Sequence, residues 1–288
     1  MKQIVILSGK GGTGKTTVTA ALAHLASAAH SVVLADADVD AANLELVLAP
    51  TPEAEEAFWS GELAAIDPEL CIACGRCDEV CRFEAIVPGD PAYRVDPLSC
   101  EGCASCFYAC PASAIRMEKR HAGRWFVSHT RFGPLYHAHL FAGQENSGKL
   151  VTLVKQRARL RALDDGAELL LVDGPPGIGC PVISAISGAD LALIVTEPTV
   201  AGAHDLERIL DLAAHFRVPA AVVINKADLS PAQTENIVAA CTEEAIPVLG
   251  QLPYDPTVTE AMVRGQPVTE RTGPVTEALQ KVWAALAP

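Results

Sequence analysis

The chain has 288 residues, half of them apolar, which is enough for one large α/β domain plus something small. Its formal net charge of −13 argues against a nucleic-acid partner, because displacing phosphate counterions takes clustered Lys and Arg. The N-terminal apolar run 4–7 is too short for a signal peptide or a membrane span, and the amphipathic stretch 276–288 lacks the basic face of a membrane-surface helix and should pack on the core, so a cytoplasmic protein without a stable membrane anchor is expected.

In chain order, a β-rich run at 3–7 leads into Gly9-Lys10-Gly11-Gly12-Thr13-Gly14-Lys15-Thr16, then Thr17 and an Ala-rich helix to about Ala29. The octapeptide matches G-x-x-x-x-G-K-[ST] with a strand before it and a helix after it. Glycines there let backbone N–H groups wrap a phosphate at the helix N-terminus, where the dipole favours anions. Lys15 would reach the β/γ-phosphates and Thr16 would ligate Mg²⁺. A second buried strand over 31–36 ends at Asp36.

An internal repeat follows. Residues 66–86 and 95–115 superpose at a constant offset of 29, which pairs Asp67 with Asp96, Pro68 with Pro97, all four cysteines, Ala85 with Ala114 and Ile86 with Ile115. Each half carries C-x2-C-x2-C-x3-C, the iron–sulfur spacing of bacterial ferredoxins, and a reducing compartment favours ligands over disulfides. Three thiolates wrap one corner of a cubane and the fourth points to the other cluster. That assigns Cys71, Cys74, Cys77 and Cys110 to one [4Fe–4S] cluster, and Cys100, Cys103, Cys106 and Cys81 to the other. A pair of zinc sites is the competing reading, but zinc ligands come in two separated pairs. The second run ends in the usual Cys110-Pro111, whereas Arg82 follows Cys81.

Beyond the repeat, 114–131 reads as a hairpin turning at His121-Ala122-Gly123. His137 and His139 alternate as on a strand and read as structural or surface residues, with a small prospect of metal binding. Residues 143–150 repeat G-x-x-x-x-G-K, but Leu150 offers no hydroxyl to Mg²⁺ and no clear β-run precedes them. Asn146 or Ser147 should instead cap a helix whose Lys155, Arg157, Arg159 and Arg161 form a solvated face, or a dock for an acidic redox partner. A strand over 168–173 ends at Asp173, the natural carboxylate to hold Mg²⁺ through water. Strands at 190–196 and 220–225 alternate with helices at 203–215 and 231–244, the latter with Cys241 in its core face. Asn225 would read the base. The fold expected is a doubly wound, mostly parallel α/β sheet over 1–58 and 132–288, interrupted at 59–131 by a small α+β ferredoxin domain plus hairpin.

Lys10, early in the phosphate loop, resembles the signature lysine of the deviant P-loop shared by the MinD/Mrp/ParA ATPases and the nitrogenase iron protein. The resemblance extends through 36–48, 196–212 and 249–268, and covers most of 1–50 and 165–270. The combination resembles MinD-superfamily ATPases with an inserted ferredoxin domain. It implies that Lys10 acts across a dimer on the partner's nucleotide, that Asp36 and Asp38 stand near Mg²⁺ with Asp38 on the attacking water, and that Pro253 and Asp255 line the nucleotide. It also implies ATP, although Asn225-Lys226-Ala227-Asp228 resembles the guanine-reading motif of GTPases as well. In the nitrogenase iron protein a cluster-ligating cysteine lies seven residues past the corresponding aspartate, and Asp173 plus seven is Cys180. Cys180 is therefore either a ligand at an ATP-dependent dimer interface or a small buried residue behind the loop. The function implied is a Mg²⁺-dependent ATPase, homodimeric or paired with a related ATPase, that couples nucleotide-driven switching to assembly or delivery of a metal–sulfur cofactor to an acceptor protein. ATP-gated electron transfer and a redox-sensing, MinD-like positioning role are the alternatives.

Overall fold

Runs of Val, Ile and Leu uninterrupted by polar residues can be buried on both faces, and five such runs form the parallel strands at the centre of the sheet. The computed structural model describes residues 1–144 and 147–287. In chain order the elements are β1 (Lys2–Ser8), α1 (Lys15–Ser27), β2 (Val32–Asp36), α2 (Leu44–Leu48), β3 (Thr51–Ile66), α3 (Arg76–Glu79), β4 (Ile86–Val87), β5 (Arg94–Val95), α4 (Ser105–Ala109), β6 (Ile115–Thr130), β7 (Gly133–Leu140), α5 (Ser147–Asp164), β8 (Leu169–Pro176), α6 (Cys180–Ile186), β9 (Leu191–Thr196), α7 (Val200–His215), β10 (Ala220–Asn225), α8 (Pro231–Glu243), β11 (Val248–Leu252), α9 (Thr257–Val263) and α10 (Pro274–Leu286).

The sheet runs β11-β10-β9-β1-β8-β2-β7-β6-β3. Strand pairing is parallel from β11 through β7. The order places β1 between β8 and β9, so the chain leaving β8 crosses β1 to reach β9. A parallel sheet binds ligands beyond the carboxyl ends of its strands at such a reversal. One large core packs α1, α2, α9 and α10 against the sheet. Val275, Leu279, Val282 and Leu286 line the buried face of α10, as the amphipathic C-terminal stretch requires.

The chain divides into two compact units. The first comprises Met1–Glu56, Arg124–Leu140 and the chain from Ser147 onward; the second comprises Ala57–Gly123 and the segment from Phe141. The boundaries fall inside β3 and β6, so the second unit ends earlier than the expected 131. Within it the sequence repeat is also a structural repeat. Asp67 N–H donates to Ala114 O and Asp96 N–H to Ala85 O, both at 2.7 Å, so each half closes on the other. Ala73 and Gly102, Gly75 and Ala104, and Glu84 and Ser113 take positive φ at matching positions.

Four readings from the sequence change. There is no hairpin turn at His121-Ala122-Gly123, because β6 runs unbroken through them. The turn lies at Arg131-Phe132, where Thr130 Oγ1 accepts from Phe132 N–H and donates to Gly133 O, and Gly133 takes φ 143°. A strand, β7, does precede residues 143–150; Leu150 is fully buried in α5, Ser147 opens that helix, and Asn146 lies outside the described residues. Lys155 is not on a solvated face. It is buried and its ammonium donates to the carbonyls of Ser184, Ala185 and Ser187, satisfying the C-terminal end of α6. Finally, Cys180 is exposed rather than buried behind its loop.

Candidate functional site

The loop after β1 is shaped by Gly14, whose φ of 98° suits only glycine and whose missing Cβ leaves room for Asn225 Nδ2. Asn225, at the end of β10, uses that amide to donate to Thr13 O at 2.8 Å. Ser8 Oγ closes the near end of the loop on Lys10 O at 2.6 Å. α1 then begins at Lys15, so its unpaired N–H groups face the loop. Lys15 is only 6% exposed, and Thr13 Oγ1 is buried without a hydrogen-bond partner. A fixed buried cation, an orphaned hydroxyl and a helix N-terminus suit a phosphate.

Three carboxylates converge opposite this loop. Asp36 ends β2 and is the direct register partner of Asp173 in β8, a strand that runs on to Pro176 rather than ending at the aspartate. Thr16 Oγ1 donates to Asp173 Oδ2 at 2.6 Å and Thr19 Oγ1 to Asp173 Oδ1 at 2.9 Å. Burial pushes Asp173 above the usual carboxylate range, against the opposing pull of Thr16, Lys15 and Thr19. Asp36, fully buried, accepts from the N–H groups of Asp38, Asn43 and Leu44, yet burial and the nearby Asp173 hold it well above the ordinary range. Burial likewise pushes Asp38 up to about 6, with Lys15 opposing and Asp173 reinforcing. An array of carboxylates that resist ionisation when packed together is ready for a divalent cation, which removes the mutual repulsion.

Lys10 is held within its own chain: its ammonium lies 3.3 Å from Glu197 Oε2, while Glu197 Oε1 pairs with Lys226. Thr17 reaches Met262 of α9, and Asp255 caps the same helix by accepting from Thr257 N–H. Pro253 and Asp255 both follow the end of β11. Sequence reasoning passed over Thr19 and Glu197. Thr19 lies three residues after Thr16 and so shares its helix face, a signal that was legible. Glu197 depends on β9 lying beside β1, which local sequence does not reveal.

The second unit gathers the repeated cysteines. Cys71, Cys74 and Cys77 from the first run and Cys110 from the second line one cavity, together with Ile66, Tyr93 and Ile115. Cys77, Cys100 and Cys106 are three of the seven buried residues in this unit's core, which leaves little hydrocarbon to hold it. Burial raises the thiols of Cys77 and Cys106, whereas the Ser105 hydroxyl beside Cys103 lowers that one. Ala85 N–H donates to Cys81 Sγ and Ala114 N–H to Cys110 Sγ, at 3.4 and 3.3 Å. These bonds recur at the repeat offset, on the fourth cysteine of each run. All these cysteines are free thiols. Free sulfurs, of which Cys77 is buried and Cys74 exposed, gathered around one cavity fit a soft metal or cluster.

Of the remaining cysteines, Cys241 is buried in α8, as expected of a core residue. Cys180 is the first residue of α6, after the short connection from β8. No helix among the described residues is long and apolar enough to cross a membrane.

Comparisons with known proteins agree with this geometry. Residues 4–268 match the CobQ/CobB/MinD/ParA nucleotide binding domain. An uncharacterized protein of Methanocaldococcus jannaschii is 35% identical over 224 residues, 78% of each chain. A cytosolic Fe-S cluster assembly factor Nubp1 homolog of Drosophila willistoni is 30% identical over 135 residues, 40% of this chain and 44% of that one. The septum site-determining protein MinD of Pyrococcus horikoshii, solved with Mg-ADP, superposes with a TM-score of 0.61 at 19% identity, covering 99% of this chain and 96% of that one.

Proposed function

Since the chain belongs to the CobQ/CobB/MinD/ParA nucleotide-binding family, we propose that it is an ATP-hydrolysing iron–sulfur protein in which nucleotide state controls assembly or delivery of a metal–sulfur cofactor. The observation that carries the iron–sulfur half is the cavity lined by Cys71, Cys74, Cys77 and Cys110, three cysteines of one run and the last of the other. Cys100, Cys103, Cys106 and Cys81 form the symmetric set. These residues would hold two [4Fe–4S] clusters, which when bound supply one-electron chemistry.

On the nucleotide side, the N–H groups of Gly9, Gly11, Gly12, Thr13 and Gly14 wrap the phosphates, and Lys15 neutralises the β/γ end. Thr16 and Asp173 would hold Mg²⁺, which when bound offsets the charge of the phosphates. Thr17, Asn225, Pro253 and Asp255 border the rest of the nucleotide. Asp38, beside Lys15 and Asp173, would orient the attacking water. Glu197 holds Lys10 in the single chain. In a dimer, with a second copy or a related ATPase, Lys10 would leave Glu197 for the partner's phosphate. The segment from Asp173 to Cys180 would then follow the γ-phosphate.

The partial match to a cluster assembly factor favours assembly over other uses. The exposed Cys180 at the start of α6 leaves its thiol accessible to a partner copy, which fits an interfacial ligand and so the assembly reading. ATP-gated electron transfer is the second reading. Anaerobic iron and sulfide analysis, with and without a non-hydrolysable ATP analogue, tests the proposal. It predicts about eight irons per chain. Uptake of further iron with the analogue, lost in Cys180→Ala, would make Cys180 a ligand. A constant count, with cluster potentials that fall on nucleotide binding, would shift the reading to gated transfer. Zinc in place of iron and sulfide would overturn both.

A further inference from the structure

A second group of metal-ligating side chains, made of neither phosphate-loop residues nor cysteines, lies on α2 and β7. His137 and His139 occupy alternate positions of β7 and so share one face of the strand. Glu45, in the first turn of α2, meets both. Its Oε2 lies 2.9 Å from His137 Nδ1 and its Oε1 lies 3.1 Å from His139 Nε2. The three donors lie within 4.8 Å of one another.

The contact with His137 is unusual. Nδ1 is buried and makes no hydrogen bond despite the carboxylate at 2.9 Å, so the two atoms are not aimed along a shared proton. They are spaced as two ligands of one ion are, since bonds of about 2.1 Å put adjacent donors about 3.0–3.4 Å apart. The other ring nitrogen is spoken for: His137 Nε2 lies 3.0 Å from the buried Ser128 Oγ. With the serine accepting from Nε2–H, the lone pair rests on Nδ1, the arrangement in which a ligating histidine donates its second N–H to a fixed partner. Phe126 stacks on His137 at 5.0 Å and tilts against His139 at 5.3 Å, which restrains both rings. His139 is 47% exposed and supplies the open side.

We propose that Glu45, His137 and His139 form a binding site for a divalent first-row transition metal, with Ser128 positioning His137. Two imidazoles and one carboxylate select zinc, iron(II) or a similar ion over Mg²⁺ or Ca²⁺, which prefer all-oxygen ligands. The site joins β7 to the segment that carries Asp38. Leu44 N–H bonds Asp36, and Leu140 N–H bonds Val39 O at 3.0 Å, so an ion on Glu45 would fasten that segment to the strand.

The test is equilibrium titration of the anaerobic full-length protein with Co²⁺ and with Zn²⁺, comparing wild type with Glu45→Gln, His139→Ala and Ser128→Ala. Because the cysteines are common to all four proteins, the difference between them isolates this site. Wild type should bind one more equivalent than Glu45→Gln or His139→Ala. The extra Co²⁺ should show d–d bands without thiolate charge transfer. Ser128→Ala should keep the equivalent with affinity weakened about tenfold. Residue 139 is half-exposed, so its loss should leave thermal stability without metal unchanged. Equal stoichiometry in wild type, Glu45→Gln and His139→Ala would overturn the proposal, as would an extra equivalent with a thiolate signature.

Discussion

At the scale of single residues, the account rests on charges held where water would oppose them. Asp38 gives the clearest consequence. Its carboxyl is pushed from 3.8 to about 6, so the native state binds a proton more tightly than the unfolded chain does. Stability from this source is present below about pH 4 and is lost as pH rises through about 6. Two pH units correspond to about 3 kcal/mol, and the group's partial exposure reduces that to about 1–2 kcal/mol. Asp38→Asn should therefore raise the melting temperature of the nucleotide-free protein at pH 8 and leave it nearly unchanged at pH 4. A gain of equal size at both would contradict the assignment. Lys15→Ala should weaken nucleotide binding by at least about tenfold, roughly the loss of one charge-assisted phosphate contact, as read by fluorescence titration. Lys10→Ala, by contrast, should spare nucleotide binding and depress turnover, because Lys10 is held by Glu197 at the edge of the loop. If Lys10→Ala weakened binding as much as Lys15→Ala, the role across a dimer would be wrong.

Elements differ in how openly the sequence announces them. The phosphate loop and the cysteine runs were legible because their chemistry fixes spacing along the chain: a loop around a phosphate and a turn around a cluster leave little freedom. The parallel strands were legible because burial on both faces demands continuous apolar residues, as in Leu169–Val172. β3 was not, since its Thr51–Ala57 stretch is rich in acidic residues and exposed at the sheet edge, where charge protects against pairing with other chains. The turn at Arg131-Phe132 was missed because Ala122-Gly123 has the composition of a turn, while the true signal is one hydroxyl, Thr130. Lys155 looked like one of a row of surface cations, and only the packing of α5 against α6 places it on carbonyls. In the second unit, Gly102 combines φ 66° with a backbone carbonyl, Glu62 O, 2.3 Å from where a Cβ would stand. Gly102→Ala should therefore disrupt the Cys100–Cys106 turn and lower iron content, with nucleotide affinity unchanged. Normal iron in that variant would show that the turn tolerates the change.

For the whole molecule, the repeated cysteines and the phosphate loop sit in different units of one chain. A chain that merely stored clusters would have no use for a phosphate loop with buried carboxylates facing it, and a simple ATPase would have no use for eight patterned thiols. On the proposal that the cysteines hold clusters, chelating iron should expose the second unit to protease, because cysteines make up so much of its small core, while the first unit keeps its nucleotide. Simultaneous loss of both would mean that the units do not hold their ligands independently. The central claim is that nucleotide state governs what happens to metal–sulfur cargo. It is tested most directly by loading the protein anaerobically with radiolabelled iron and measuring transfer to an apo iron–sulfur acceptor with Mg-ATP, with Mg-ADP and with Lys15→Ala. The account predicts transfer that Mg-ATP accelerates in wild type and that Lys15→Ala loses. Transfer at one rate in every nucleotide state, or none while iron stays bound, would contradict it.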